Sequence, residues 1–214
     1  MQLSSTDDLR TLYRPARGGA VDKVIDHIDQ HCIEFLAKSP LLVLSTADAN
    51  GVVDGSPKGG EPGFVEALDP HRIAWADSSG NNRLDSFENI VDNPSVAALF
   101  LIPGLPETLR VNGTAELSTD PELCARFTLG GRPTKVVCVV TVTEAYIHCA
   151  KALKRSSLWD TDTWLGDDEL PDAVCMLRDH AAIDAKVEEI RAGYDDDVDA
   201  TLWSPGGTTG PASE

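Results

Sequence analysis

The segment that most constrains this chain runs from Val136 to Thr143 and contains only β-branched residues and one cysteine. Side chains branched at Cβ lose rotamer freedom in a helix but pack well on a pleated strand. The pattern predicts one long central strand over 135–148. A central strand needs a partner on each edge, so the chain must build a sheet around it.

The neighbouring segments predict that this sheet is antiparallel. Asn50-Gly51 supplies the positive φ angles of a tight hairpin between strands predicted at 41–47 and 52–58. Because the strand pairs are local and do not alternate with helices, the pattern predicts a mainly β fold. A closed or partly open barrel with peripheral helices fits best, since closure removes exposed edges. Further strands are predicted at 64–68, 72–77, 95–102 and 108–117.

Helices are predicted around this barrel and after it. Apolar residues three and four apart predict an amphipathic helix over 22–38, and further helices are predicted at 83–91, after a Thr119 cap, and at 170–191. The predicted organisation is an N-terminal arm, a barrel domain, an acidic helical extension and a flexible tail rich in Gly, Pro, Ser and Thr. Their ranges are 1–21, 22–160, 161–200 and 201–214.

Charge and cysteine content exclude several classes of function. The net charge is −17, and residues 160–214 alone contain 15 acidic and 3 basic residues. Such a surface is a poor partner for nucleic acid. The N-terminus lacks a signal-peptide pattern and no apolar run has bilayer length, which predicts a cytoplasmic protein without a membrane partner. The five cysteines are scattered and odd in number, so disulfides and zinc-cysteine sites are not expected.

Two glycine-containing segments could hold an anion. Ser56-Pro57-Lys58-Gly59-Gly60 carries a lysine from a predicted strand into a flexible loop, although an ordinary loop is the commoner outcome. Ser78-Ser79-Gly80-Asn81-Asn82-Arg83 enters a predicted helix, whose first N–H groups and Arg83 could bind phosphate. Alternatively, Asn81 or Asn82 caps that helix and Arg83 is exposed.

Two further segments could form a polar or cationic site. In Leu109-Arg110-Val111-Asn112-Gly113, Arg110 and Asn112 share one strand face, which could line a cavity or face water. Residues 148–159 contain Lys151, Lys154 and Arg155 and end in Trp159. Cations beside an aromatic ring suit a planar anion, but a solvated basic turn fits as well.

Catalytic and metal-binding residues are not recognisable in the sequence. His27 and His31 have the spacing of a helical metal pair, but surface histidines at this spacing are common and no metal site is predicted. No hydrolase nucleophile motif is present. The catalytic residues therefore stay unassigned.

Six segments occurring in one order carry a family resemblance. They include Ser-Pro-Lys-Gly at 56–59, Gly-Asn-Asn-Arg at 80–83 and Leu-Arg-Val-Asn-Gly at 109–113. Together they resemble the FMN-binding split-barrel proteins related to pyridoxamine 5′-phosphate oxidase, in the branch of unassigned substrate. The segments are 39–47, 56–59, 80–86, 93–94, 107–113 and 149–156.

This resemblance implies a six-stranded antiparallel split barrel and an obligate homodimer with two FMN sites at the subunit interface. Lys58 and Arg83, with Asn81 and Asn82, would hold the FMN phosphate, and the strand from Ser56 would run along the flavin. Pro57 and Gly59, beside Lys58, are further implied contacts. Thr108, Arg110 and Asn112 would lie near the flavin ring or the ribityl chain. The segment that would reach across from the partner subunit contains Lys151, Lys154, Arg155 and Trp159.

The function implied is that of an FMN-dependent oxidoreductase acting on a small molecule. Arg110 or a basic residue of 151–155 would stabilise the anionic reduced flavin. The acidic residues that follow Trp159 depart from the Arg-Leu-His-Asp-Arg ending of the biosynthetic oxidase, which argues against pyridoxamine phosphate as substrate. The alternatives are a non-catalytic flavin- or haem-type binding or sensor protein on the same barrel, and an interaction protein that acts through its acidic tail.

Overall fold

A seven-stranded antiparallel sheet forms the body of the protein, and its strand order is β2-β1-β5-β6-β9-β4-β3. The computed structural model describes residues 2–207. A separate two-stranded ribbon pairs β7 with β8. The strands are β1 (Leu41–Ala47), β2 (Val53–Gly59), β3 (Glu66–Asp69), β4 (Arg72–Ala76), β5 (Ser95–Leu101), β6 (Thr108–Ser118), β7 (Thr128–Leu129), β8 (Arg132–Pro133) and β9 (Val137–His148).

The long β-branched run forms β9, as predicted, and lies between β6 and β4. Val137, Cys138 and Val140 have no exposed surface. A strand that is paired on both edges and covered on both faces accounts for the nearly continuous apolar sequence.

The first hairpin also forms at the predicted position, although Gly51 alone of the Asn50-Gly51 pair adopts a positive φ. Gly51 adopts a φ of 83°, and the Asp48 carboxylate accepts hydrogen bonds from the N–H groups of Asn50 and Val52 at 2.9 and 2.8 Å. The turn fixes the register of β1 and β2, in which Leu42 lies opposite Lys58. This register determines which side of β2 faces the core.

The sheet curls around one main core. Four strands separate β2 from β4 in the sheet order, yet residues 56–58 and 75–77 line one cavity. Leu42, Leu44, Phe100 and Val111 belong to the enclosed core cluster. The mainly β class with peripheral helices is therefore confirmed. The sheet has one strand more than the resemblance implied, and β2 and β3 form its edges.

Eight short α-helices surround the sheet in the described part of the chain. None of the helices within residues 2–207 is long and apolar enough to cross a membrane. They are α1 (Thr6–Leu12), α2 (Gly19–Asp22), α3 (Gln30–Leu36), α4 (Asp85–Asp92), α5 (Pro121–Arg126), α6 (Lys151–Arg155), α7 (Ala173–His180) and α8 (Val187–Thr201).

The helix predicted over 22–38 is wrong in its first half, and only α3 forms there. Ile25 and Ala145 exchange backbone hydrogen bonds of 3.0 and 2.7 Å, so this segment pairs with β9. The Asp29 carboxylate then accepts a bond from the N–H of Cys32 and starts α3. Ile28 and Cys32 are still buried, because an extended lead-in brings the same side chains to the core.

Three other features of the helices differ from the sequence predictions. The N-terminal arm, for which no helix was predicted, contains α1, which starts with a capping box at Ser5. Asp120 rather than Thr119 caps α5, and its carboxylate accepts from the N–H of Leu123 at 2.8 Å. The helix predicted over 170–191 is two helices, because the chain turns at Ala182 with a φ of 51°.

The flexible tail predicted over 201–214 is wrong for residues 204–206, which are buried. Pro205 bridges to Ser78, and the N–H of Ser79 donates to Ser204 O at 2.8 Å. The N–H of Gly206 donates to Asp77 O at 3.1 Å. These backbone bonds fasten the segment to the end of β4. Residues 208–214 lie outside the described range.

Candidate functional site

Two adjoining cavities lie between the end of β2, the loop before α4 and the C-terminal extension. The small cavity has a volume of about 210 Å³, and the large cavity has a volume of about 850 Å³. Both are lined by Ser56, Pro57, Lys58 and Asn81. Asn82 and Arg83 line the small cavity, and Gly59 lines the large one. The structure thus brings together the two predicted anion-binding segments, 56–60 and 78–83.

Strand β2 directs Lys58 toward the cavities. Side chains alternate along a strand, and Ser56 and Lys58 are the half-buried positions while Gly55 and Pro57 are exposed. Pro57 has no N–H to donate, which β2 tolerates because it is an edge strand. The same face therefore presents a hydroxyl and an ammonium group to one space.

The loop before α4 supplies the opposite wall of the small cavity. Asn82 and Leu84 adopt φ values of 55° and 59°, and Asn81 Oδ1 accepts a hydrogen bond from the N–H of Arg83 at 3.1 Å. The N-cap of α4 is Leu84, and no side chain in the described part of the chain caps the helix. Capping by Asn81 or Asn82 is therefore wrong, and the start of α4 is left facing the cavity.

Carboxylates surround the two cations of the small cavity. Arg83 Nε lies 2.8 Å from Asp85 Oδ2, and the Arg83 side chain is 71% exposed. Asp54 accepts a hydrogen bond from Ser86 Oγ at 2.8 Å. Burial raises the pKa of Asp77, while the nearby Lys58 acts in the opposite direction. Arg83 is thus already paired with Asp85. Lys58 lies near Asp77, whose charged form is disfavoured by burial.

The third predicted segment forms a different face of the sheet. Thr108, Arg110 and Asn112 point to one side of β6, opposite His148, Tyr146 and Glu144 of β9. Arg110 Nη1 donates to Tyr146 Oη at 3.1 Å, and Asn112 Nδ2 donates to Glu144 Oε2 at 2.8 Å. None of the three β6 residues is among those lining the two cavities.

Two groups on that face have an unusual environment. Asn112 Oδ1 is a buried atom without a hydrogen-bond partner within residues 2–207. Burial lowers the pKa of His148, and Arg110 and Lys23 lower it further. The face therefore contains an unused acceptor at Asn112 and, farther along the same strand pair, a histidine that favours its neutral form.

The fourth predicted segment lies beyond the end of β9. Lys151, Lys154 and Arg155 are exposed on α6, and Trp159 Nε1 donates to Leu105 O at 2.9 Å. These residues are also not among those lining the two cavities. Their approach to a cofactor from a partner subunit stays a prediction.

The C-terminal extension lines the large cavity, which sequence reasoning missed. Tyr194, Asp197, Leu202 and Trp203 contribute to its wall, and Gly206 lines the small cavity. Their signal in the sequence is weak, namely two aromatic residues in an otherwise acidic stretch. The contact is long-range in the chain and cannot be inferred from local patterns.

A scan of family models gives one match, to the model for pyridoxamine 5′-phosphate oxidase over residues 28–149. The chain belongs to the pyridoxamine 5′-phosphate oxidase family. The match spans more than half of the chain and includes β1 to β9, but neither α6 nor the C-terminal extension. The family resemblance stated from the six sequence segments is thus confirmed.

Similar solved structures match little more than half of the chain. A HupZ variant from Group A Streptococcus is 21% identical, covers 56% of this chain and 99% of its own, and has a TM-score of 0.45. An FMN-binding protein from Syntrophomonas wolfei is 18% identical, covers 54% of this chain and 87% of its own, and has a TM-score of 0.38. General Stress Protein 26 from Bacillus anthracis is 16% identical, covers 54% of this chain and 89% of its own, and has a TM-score of 0.38. A search among curated proteins finds no match.

Proposed function

We propose that this chain binds FMN, with the phosphate in the small cavity and the remainder in the large one. The observation that carries the proposal is the convergence of Lys58 and Arg83 on one cavity, in a chain of this family. An ammonium and a guanidinium group form the strong, charge-assisted hydrogen bonds that a phosphate dianion requires.

The donor set fits a phosphoryl group. Ser56 and Asn81 add a hydroxyl and an amide, and the uncapped start of α4 adds backbone N–H groups with a favourable helix dipole. Phosphate can compete for Arg83 because its pairing with Asp85 is exposed to solvent and therefore weak. The large cavity lies within the size range of cofactor pockets, roughly 300–1,000 Å³.

When bound, FMN would supply hydride and single-electron transfer to a small molecule. The chain would anchor the phosphate through Lys58 and Arg83 and shield the large cavity from water. Thr108, Arg110 and Asn112, together with Lys151, Lys154, Arg155 and Trp159, complete the proposed site through a second copy of the chain. Asn112 Oδ1, which has no hydrogen-bond partner within residues 2–207, supports a further contact on that face.

The test is retention of FMN by the purified chain, followed by absorbance and equilibrium dialysis. We expect about one FMN per chain, and Lys58→Gln should weaken FMN binding about tenfold or more because a charge-assisted hydrogen bond is lost. Lys38→Gln is the control, since Lys38 is exposed and does not line either cavity. A folded wild type that retains no FMN would contradict the proposal.

A turnover assay separates an oxidoreductase from a carrier. Reoxidation of added NAD(P)H or of a reduced deazaflavin by the FMN-loaded chain supports an enzyme. Bound flavin without turnover on any of these donors would favour a flavin-binding protein without catalytic activity on the same barrel.

A further inference from the structure

The C-terminal extension forms the outer wall of the large cavity. Its contribution comes from the last two turns of α8 and the residues that follow. Residues 204–206 hold this wall against β4 through the backbone bonds described above, and Arg132 Nη2 donates to Ser204 Oγ at 2.8 Å. Gly130 also approaches the backbone of Trp203 so closely that a Cβ atom there would lie 2.6 Å from Trp203 O. The wall is therefore fixed at several points.

The large cavity is rich in aromatic side chains, and those of the extension still have exposed surface. Trp203 is 47% exposed and Tyr194 is 55% exposed, whereas Trp75 on the opposite wall is buried. Large aromatic groups with an open face beside a cavity are suited to stacking on a planar molecule. The aromatic residues lining the cavity are Phe64, Trp75, Phe87, Tyr194 and Trp203.

Among the described residues that line the large cavity, positive charge is confined to one end, where Asp77 lies near Lys58, and Asp197 lies on the extension. Of the described residues lining the large cavity, Lys58 is the only cation, and it lies at the end shared with the small cavity. Asp197 lies on the wall formed by the extension, within the acidic run Asp195–Asp197. Within one chain, a phosphate at Lys58 would use the positive charge available in the large cavity, so a second anion beside the extension would meet neutral and acidic groups of that chain.

We propose that Tyr194, Asp197 and Trp203 of the C-terminal extension form the substrate wall of the large cavity and select a planar aromatic substrate that is uncharged or cationic. This inference rests on the proposed function, because it assigns Lys58 to the FMN phosphate. The extension thereby disfavours substrates with a phosphate or carboxylate group.

The test uses three probes that share one ring, namely naphthamide, naphthylmethylammonium and naphthoate. Their binding to the full-length, FMN-loaded, oxidised chain is measured by equilibrium dialysis, which involves no turnover. We expect the neutral and cationic probes to bind about fivefold or more tightly than naphthoate, as for one nearby charge in a partly screened site.

Matched variants distinguish the effect of the cavity wall on probe binding from the effect of the chain's general negative charge. Asp197→Asn should reduce the preference against naphthoate, whereas Asp199→Asn, on the same helix but not lining the cavity, should leave it unchanged. Trp203→Ala should weaken binding of all three probes, and Trp203→Phe should restore it. Trp164→Ala is the control, because Trp164 is exposed outside the cavity.

The outcomes distinguish this inference from the proposed function. A chain that retains FMN but binds naphthoate as tightly as naphthamide overturns the substrate wall and leaves FMN binding intact. Equal effects of Asp197→Asn and Asp199→Asn also overturn it, because the preference would then come from net charge. A chain that does not retain FMN contradicts the proposed function, and dialysis of the same probes against that chain still tests the aromatic wall.

Discussion

At the scale of single residues, Lys58 and Asp77 determine the electrostatics of the candidate site. Both line the two cavities, and Asp77 is partly buried beside the lysine. Removing a carboxylate from water disfavours its charged form, so burial raises the pKa of Asp77 despite the attraction of Lys58. The folded state therefore binds a proton at Asp77 more tightly than the unfolded chain does.

The pH dependence of stability should report this raised pKa. Because the fold prefers protonated Asp77, its contribution to the free energy of unfolding falls as pH rises from the ordinary carboxyl pKa through the raised value. Asp77→Asn removes the titrating group, so the variant should gain stability relative to wild type as the pH rises from the ordinary carboxyl pKa through the raised value. Urea unfolding across that range measures the difference. Asp195→Asn, on exposed α8, is the control, and a parallel pH profile for wild type and Asp77→Asn would show that burial does not govern this carboxyl group.

The sequence predicted some of the site residues because their patterns are local. Lys58 follows from its place at a strand end before glycines, and Arg83 from its place before a helix. Alternation also predicted that Arg110 and Asn112 share a face. It could not predict whether that face joins the Lys58 cavity, since this depends on how the sheet curls. The roles of Asp77 and Trp203 depend on a long-range contact that no local pattern encodes.

At the scale of elements, a β-bulge divides β9 into two parts. Asn112 pairs with Glu144 but Gly113 pairs with Val142, so Thr143 is the extra residue. A bulge bends its strand and changes the direction of the following side chains. Beyond it, Glu144, Tyr146 and His148 face the same side as Arg110. The bulge thus separates the buried half of β9 from the polar face.

Gly113→Ala should destabilise this bulge strongly. A Cβ atom at Gly113 would meet the carbonyl oxygen of Thr141, which belongs to the paired strand and cannot rotate away. We expect a loss of about 2 kcal/mol or more in the free energy of unfolding, as for overpacked cores. Chemical denaturation measures this loss. Gly55→Ala is the matched control, since a Cβ atom there meets nothing within 4 Å and should change stability by less than about 0.5 kcal/mol. Equal stability of both variants would mean that the backbone can relax around the bulge.

Strands were predicted more reliably than helices in this chain, for a physical reason. The strands are marked by β-branched residues and by turns such as Asp48–Gly51, which specify their own geometry. The helices are short, and their bounds depend on tertiary contacts. Residues 24–28 have a helical apolar spacing, yet pairing of Ile25 with β9 overrides it. The bulge had no signal beyond a glycine in the partner strand.

At the scale of the whole molecule, the C-terminal extension adds a wall to a family domain that ends at residue 149. Its two helices are joined by an ion pair in which Arg191 Nη2 lies 2.7 Å from Asp172 Oδ2. The Asp172 carboxylate also accepts hydrogen bonds from the first N–H groups of α7, and these contacts lower its pKa to about 2. The two helices of the acidic extension therefore contact each other. The sequence predicted its helical character but not its position over the cavities.

The whole molecule should be a dimer in solution, as the proposed site requires. The face around Asn112 buries an amide oxygen that finds no donor among the described residues, a condition that costs about 1–3 kcal/mol and that a second copy could relieve. Light scattering after size exclusion should give about twice the chain mass of 22.9 kDa for the FMN-loaded protein. Arg110→Glu places the opposite charge on that face and should shift the mass toward one chain and weaken FMN retention, whereas Lys38→Glu, at an exposed position after α3, should do neither. A monomeric wild type that retains FMN would mean that one chain completes the site, and the contributions proposed for Lys151, Lys154, Arg155 and Trp159 from a partner would then be wrong.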